Sequence, residues 1–133
     1  MQHKTIEPGS PDDWMRHAES DLELSKKKES PKILYEELCF HAQQAAEKSI
    51  KAVLIQLEIE FPRTHNIKIL TEKIPGEHGN IDLFDKIAIL TDYAVAMRYP
   101  GNYEEINEDE WKEAVELATQ TVRWADKLIT DMQ

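Results

Sequence analysis

The sequence predicts an all-α fold: an up-and-down bundle of four long helices plus one short helix. Three observations lead there. Apolar residues recur at helical spacing through five segments. No segment alternates with period two for long enough to make a strand. The chain holds only 4 Gly and 6 Pro, and these cluster between the periodic stretches. A length of 133 residues with 41% hydrophobic content supports one core without disulfides. Residues 1–9 read as a loose lead-in and residues 10–133 as a single helical domain.

Each helix has its own start and stop signals. In "SPDD", Ser10 can cap, Pro11 suits the first helical position, and Asp13 stands where a capping box places an acid. Trp14, Ala18, Leu22 and Ser25 follow at helical spacing, and Lys26, Lys27 and Lys28 suit the negative end of the helix. The second helix runs from about Ile33 to Glu58. Tyr35, Leu38, Ala42, Ala46, Ser49, Ile50, Val53 and Leu57 share one arc of it. Small residues at Ala42, Ala45, Ala46 and Ser49 let neighbours approach closely, which marks the central helix of a bundle. Pro62 breaks that helix, and Thr64 can cap a short one over residues 65–74, with Ile67, Leu70 and Ile74 inward. After the turn "PGEHGN" a fourth helix covers 81–97, with Ile81, Phe84, Ala88, Thr91 and Val95 on one side. Pro100 and Gly101 force a loop. Asn107 caps the last helix, whose first turn holds Glu108, Asp109 and Glu110. Trp111, Ala114, Val115, Ala118, Val122, Ala125 and Leu128 form its apolar stripe.

Composition narrows the function. No apolar run reaches the roughly 18 residues a membrane span needs. The start "MQHKTIEPGS" lacks the apolar core of a signal peptide, so a cytoplasmic protein is expected. The single cysteine, Cys39, lies in a helical apolar pattern and reads as a small core residue. A formal net charge of −10 repels phosphate at long range. Contact with nucleotide or RNA therefore needs a local basic pocket, and a basic protein partner is equally compatible. The five histidines show no metal-ligand spacing. HExxH, paired ExxH, CxxC, Gly-rich phosphate loops and GxSxG are all missing, so neither a metal nor a cofactor is expected.

Two patches are candidate sites. In "CFHAQQAAEKSIKA", residues 39–52, His41, Gln44, Lys48 and Lys51 fall at i, i+3, i+7 and i+10 and form one polar stripe. It lies almost opposite the apolar arc, so one reading is a solvated face with Glu47 and Lys51 as an i,i+4 pair. Phe40 lies near this polar side, which points instead to a face covered by another helix or a second copy. The second patch is "RYPGNY", residues 98–103. Arg98 either neutralises a helix C-terminus or grips a phosphate, and Tyr99 and Tyr103 either roof the bundle or stack on a base.

Four stretches in order resemble the HEPN family (higher eukaryotes and prokaryotes nucleotide-binding). They are the early tryptophan followed by "AESDLELS", then "CFHAQQAAEKSIKAVL", then "FPRTHNIKIL", and "LTDYAVAMRYPGNY" before a last helix with "AVELATQTVRWADKL". The resemblance spans about residues 12–130. It implies a HEPN-like bundle of four or five helices, commonly a homodimer, often encoded with a minimal nucleotidyltransferase as a toxin–antitoxin-like pair. Many members are metal-independent RNases whose signature is an arginine, four to six residues, then a histidine. Arg98 fits the arginine, but the histidine positions hold Tyr103, Glu104 and Glu105. Tyrosine is a poor base near neutral pH, with an unperturbed pKa of about 10. The expectation is therefore a nucleotide- or partner-binding module whose His41, Gln44, Lys48, Arg98 and Tyr99 line one cleft, within one chain or across a twofold. The alternatives are a divergent RNase using Arg98 with Tyr103 or Glu104, and a structural helical adaptor.

Overall fold

The computed structural model describes residues 5–94 and 104–133. Every regular element among them is helical. Helix α1 spans Pro11–Ser25, α2 Tyr35–Gln56, α3 Ile67–Thr71, α4 Ile81–Ile87 and α5 Glu108–Met132. A 3₁₀ segment, Ala88–Ala94, continues α4 directly.

The starts follow local hydrogen-bonding chemistry. Ser10 Oγ accepts from the backbone N–H of Asp13 at 3.2 Å, with Pro11 at the first helical position. The Asp13 carboxylate reaches back one residue further than a capping box, to the N–H of Gly9 at 2.9 Å. Asn107 and Glu110 make the full reciprocal box at the start of α5. The short helix α3 is capped by Asn66, whose Oδ1 accepts from Ile69 N–H at 3.2 Å, two residues beyond the expected Thr64. Thr64 Oγ1 instead accepts from Asn66 N–H at 3.0 Å and sets the turn that presents that cap.

One rod ends where expected and another does not. Helix α2 stops at Gln56, within two residues of the expected Glu58 and ahead of Pro62. Glu58 takes a left-handed φ of 59°, its N–H bonds Ile55 O at 3.0 Å, and Ile59 N–H bonds Leu54 O at 2.9 Å. That is a Schellman termination built on a glutamate. The fourth rod is α-helical for 7 residues and tightens to 3₁₀ for 7 more. Ile87, Ile89 and Thr91 are weak helix formers there. Thr91 Oγ1 is spent accepting Ile67 N–H from α3 at 3.0 Å.

Helix α2 is the spine. It packs along α1 on one side and α5 on another, while α3 and the 3₁₀ segment close a third flank. Ala42, Ala45, Ala46 and Ser49 are all 0% exposed, which is what lets three backbones crowd one helix. Cys39 is buried in the same core. Trp111 Nε1–H donates to Ser25 O at 2.8 Å, fixing the start of α5 to the end of α1. Among the described residues no helix is long and apolar enough to cross a membrane.

Candidate functional site

Because α2 is flanked on several sides, its polar stripe is partly covered: Lys51 is 7% exposed, whereas His41, Gln44 and Lys48 are half-buried. Gln43 and Glu47 beside it are 0% and 2% exposed. The solvated-face expectation fails for the Glu47–Lys51 pair, which is buried, while His41, Gln44 and Lys48 stay half-exposed, so this side is partly covered. What covers it is α1 on one edge and the connection between α2 and α3 on the other.

The first polar cluster forms on the α1–α2 seam around Asp21, a residue with 11% of its side chain exposed. Lys48 Nζ donates to Asp21 Oδ2 at 2.7 Å, and His41 Nδ1 lies 3.0 Å from Asp21 Oδ1. One carboxylate thus holds two α2 side chains seven residues apart. Against a carboxylate the His41 proton belongs on Nδ1, leaving Nε2 to accept in the neutral ring or donate in the imidazolium. Lys48 keeps two further N–H donors. The Lys48 and His41 side chains are 25% and 31% exposed, so both reach solvent from an anchored base.

The second cluster surrounds Glu47. Lys51 Nζ donates to Glu47 Oε2 at 2.9 Å, the expected i,i+4 pair. Gln43 Nε2 donates to Glu47 Oε1 at 2.9 Å, and His65 Nδ1 meets the same oxygen at 2.8 Å. Gln44 Nε2 donates to Gln43 Oε1 at 2.7 Å. Gln44 is therefore engaged with the Glu47 cluster and is apart from the His41–Lys48 pair. The Lys51 ammonium also sits 5.8 Å from the ring centres of both Trp14 and Phe61. A pair this buried needs further hydrogen bonds to offset desolvation, and here no buried polar atom of the cluster lacks a partner.

Lys48 also lines a cleft of about 280 Å³ with Gly9, Asp13, Trp14 and His17. Asp13 is held below the usual carboxylate range by the Gly9 N–H and by the Arg16 guanidinium, which donates to it at 2.8 Å. The indole N–H of Trp14 has no acceptor among the described residues, whereas those of Trp111 and Trp124 donate to backbone carbonyls. The cleft therefore brings together an ammonium, one imidazole and an indole ring, while His41, held by the same Asp21, is not in its lining.

Of the sequence-predicted residues, His41 and Lys48 converge, and Gln44 bonds elsewhere. Arg98, Tyr99 and Tyr103 lie outside the described residues. Asp21, Gln43, His65, Trp14 and His17 escaped the sequence reading as site residues. Asp21 left a signal: it falls at i+3 from Ala18 and i+7 from Trp14, a charge inside an apolar stripe.

The sequence matches the HEPN domain over residues 11–128. The chain is a member of the HEPN family. The fold agrees. An archaeal HEPN homologue, ST0689, superposes with a TM-score of 0.71 at 28% identity, covering 90% of this chain and 98% of that one. TT1696 from Thermus thermophilus superposes with a TM-score of 0.74 at 23% identity, covering 88% and 96%. No curated protein matches. In this HEPN domain the seam residues belong to the two helices that pack most closely, so the geometry that holds them is that of the bundle itself.

Proposed function

We propose that this HEPN domain is a cytoplasmic binding module that pairs with a second copy, serves as companion to a minimal nucleotidyltransferase, and holds a nucleotide phosphate or base on the α1–α2 seam. The observation that carries the reading is the Asp21 anchor, which holds both His41 and Lys48 and leaves Lys48 with spare donors in the wall of a cleft. Lys48 would meet a phosphate oxygen, and Trp14 and His17 supply ring faces of the kind on which bases stack. Arg98 and Tyr99, outside the described residues, belong to the same proposal on the sequence alone. The departure of positions 103–105 from the RNase signature supports binding over cleavage.

Calorimetric titration with ATP, GTP and their monophosphates tests this. Saturable heat with the native protein and at least about tenfold weaker binding for Lys48→Met is expected, the cost of one lost charge-assisted hydrogen bond. Absence of heat from a folded sample removes the nucleotide and leaves the protein partner. A second reading, the helical adaptor, draws on a different fact. Among the described residues every buried side-chain polar atom already has a partner inside the protomer.

A further inference from the structure

We propose that the cleft on the α1–α2 seam selects guanine over the other bases, and that Asp13 is the residue that makes the selection. The inference deepens the nucleotide reading above and rests on it. The phosphate stays with Lys48, and Asp13 reads the base.

The wall of this cleft carries both signs of charge. Lys48 brings an ammonium and Asp13 a carboxylate, with Gly9, Trp14 and His17 completing the lining. A site for phosphate alone gains nothing from an anion in its wall, because like charges repel. The carboxylate suits a ligand that carries N–H donors as well as phosphate. Asp13 stays ionised, since the Gly9 N–H and then the Arg16 guanidinium hold its carboxyl below the usual range. Near neutral pH it can therefore only accept hydrogen bonds.

Its geometry is set before a ligand arrives. Oδ2 accepts from the Gly9 N–H at 2.9 Å and Oδ1 from Arg16 at 2.8 Å, while the Asp13 backbone N–H donates to Ser10 Oγ at 3.2 Å. His17 Nε2 stands 3.6 Å from Oδ1, outside hydrogen-bond reach. A carboxylate has about four acceptor positions, divided between its oxygens. These bonds take one position on each oxygen, so each oxygen keeps another for a ligand. The side chain is 16% exposed, enough to be met from the cleft.

Base chemistry then decides the occupant. Two acceptors side by side match two donors side by side. Guanine alone among the common RNA bases has them, at N1–H and the 2-amino group of its Watson–Crick edge. Adenine turns a lone pair at N1 toward an ionised oxygen. Uracil offers one N–H between two keto oxygens, and cytosine an amino group beside an acceptor nitrogen. A cleft of about 280 Å³ has room for one base and not a run of them, and a longer strand would lie along a surface of net charge −10. The occupant is a free guanine nucleotide.

Calorimetry on the intact chain with GMP, IMP and AMP reads the selection, because IMP is GMP without the 2-amino group. GMP is expected to bind at least about tenfold tighter than AMP, as a bidentate base contact does, with IMP between them. Asp13→Asn keeps an oxygen for the Gly9 N–H but turns one acceptor into a donor. It is expected to bring GMP and AMP within about threefold of each other, whereas Lys48→Met weakens all three ligands alike. Should Asp13→Asn lose its helical circular dichroism, the ligand series on the native protein decides alone. Equal binding of GMP and AMP, or of GMP and IMP, overturns the guanine proposal and leaves the nucleotide reading standing. A folded Asp13→Asn that keeps the preference overturns the role of Asp13. Tighter binding of the trinucleotide ApGpA than of GMP overturns the free nucleotide as occupant. No heat with any ligand overturns this proposal and the nucleotide reading together.

Discussion

At the scale of single residues, the least replaceable side chain is Glu47. It is the acceptor for Lys51, Gln43 and His65 at once, with 3% of its side chain exposed. Glu47→Gln removes the charge that Lys51 was buried against, and a broken buried pair costs about 3 kcal/mol or more. Adding Lys51→Met removes the orphaned ammonium while keeping its stem between Trp14 and Phe61, so most of that loss should return. Chemical denaturation of the two single variants and the double, read as a mutant cycle, measures the coupling. The Glu47–Lys51 pairing was legible from i,i+4 spacing, but its burial was not. Periodicity reports which residues share a face. It does not report how many neighbours a central helix has, and α2 has enough to bury Glu47 and Lys51.

At the scale of the element, helix starts were easier to read than helix ends. Ser10 and Asn107 cap through side chains whose chemistry is visible in the sequence. The stop of α2 was legible to within two residues but its form was not, because a Schellman ending advertises itself by glycine and here the left-handed position holds Glu58. An L-residue in that conformation is strained by roughly 1–2 kcal/mol. Glu58→Gly relieves the strain but frees the unfolded chain, for a net gain of about 0.5–1 kcal/mol. A thermal melt should place Glu58→Gly above the native protein. The switch of the fourth rod to 3₁₀ was equally hidden, since it depends on Thr91 bonding α3, a contact 24 residues away in sequence. The same limit hid the seam: His41 and Lys48 share a stripe by spacing, whereas Asp21 reaches them only through packing of α1 on α2.

At the scale of the whole molecule, the excess of acid is felt where helices face each other. Burial, and then the nearby Asp126 of α5, raise the Glu19 carboxyl on α1 above its ordinary value of 4.5. A raised folded-state value for an acid means the native protein binds the proton more tightly than the unfolded chain. Stability from this group is therefore greatest in acid and falls as pH rises through 4.5 and the raised value. Glu19→Gln should melt higher than the native protein at about pH 7 and together with it near about pH 3. The fold class and the placement of the core were open to sequence reasoning because they follow from helical periodicity and small residues such as Ala42 and Ala46. The outward stance of Ile81 was not, because it reads as an inward residue by spacing and is 71% exposed in the structure. The three tryptophans, finally, differ in what surrounds their indoles. Trp111 and Trp124 are tied to the carbonyls of Ser25 and His78, while Trp14 borders an open cleft and its N–H has no acceptor among the described residues. The molecule so carries an intrinsic fluorophore at its proposed binding seam and two reference emitters elsewhere, which makes collisional quenching a direct reporter of occupancy without any attached dye.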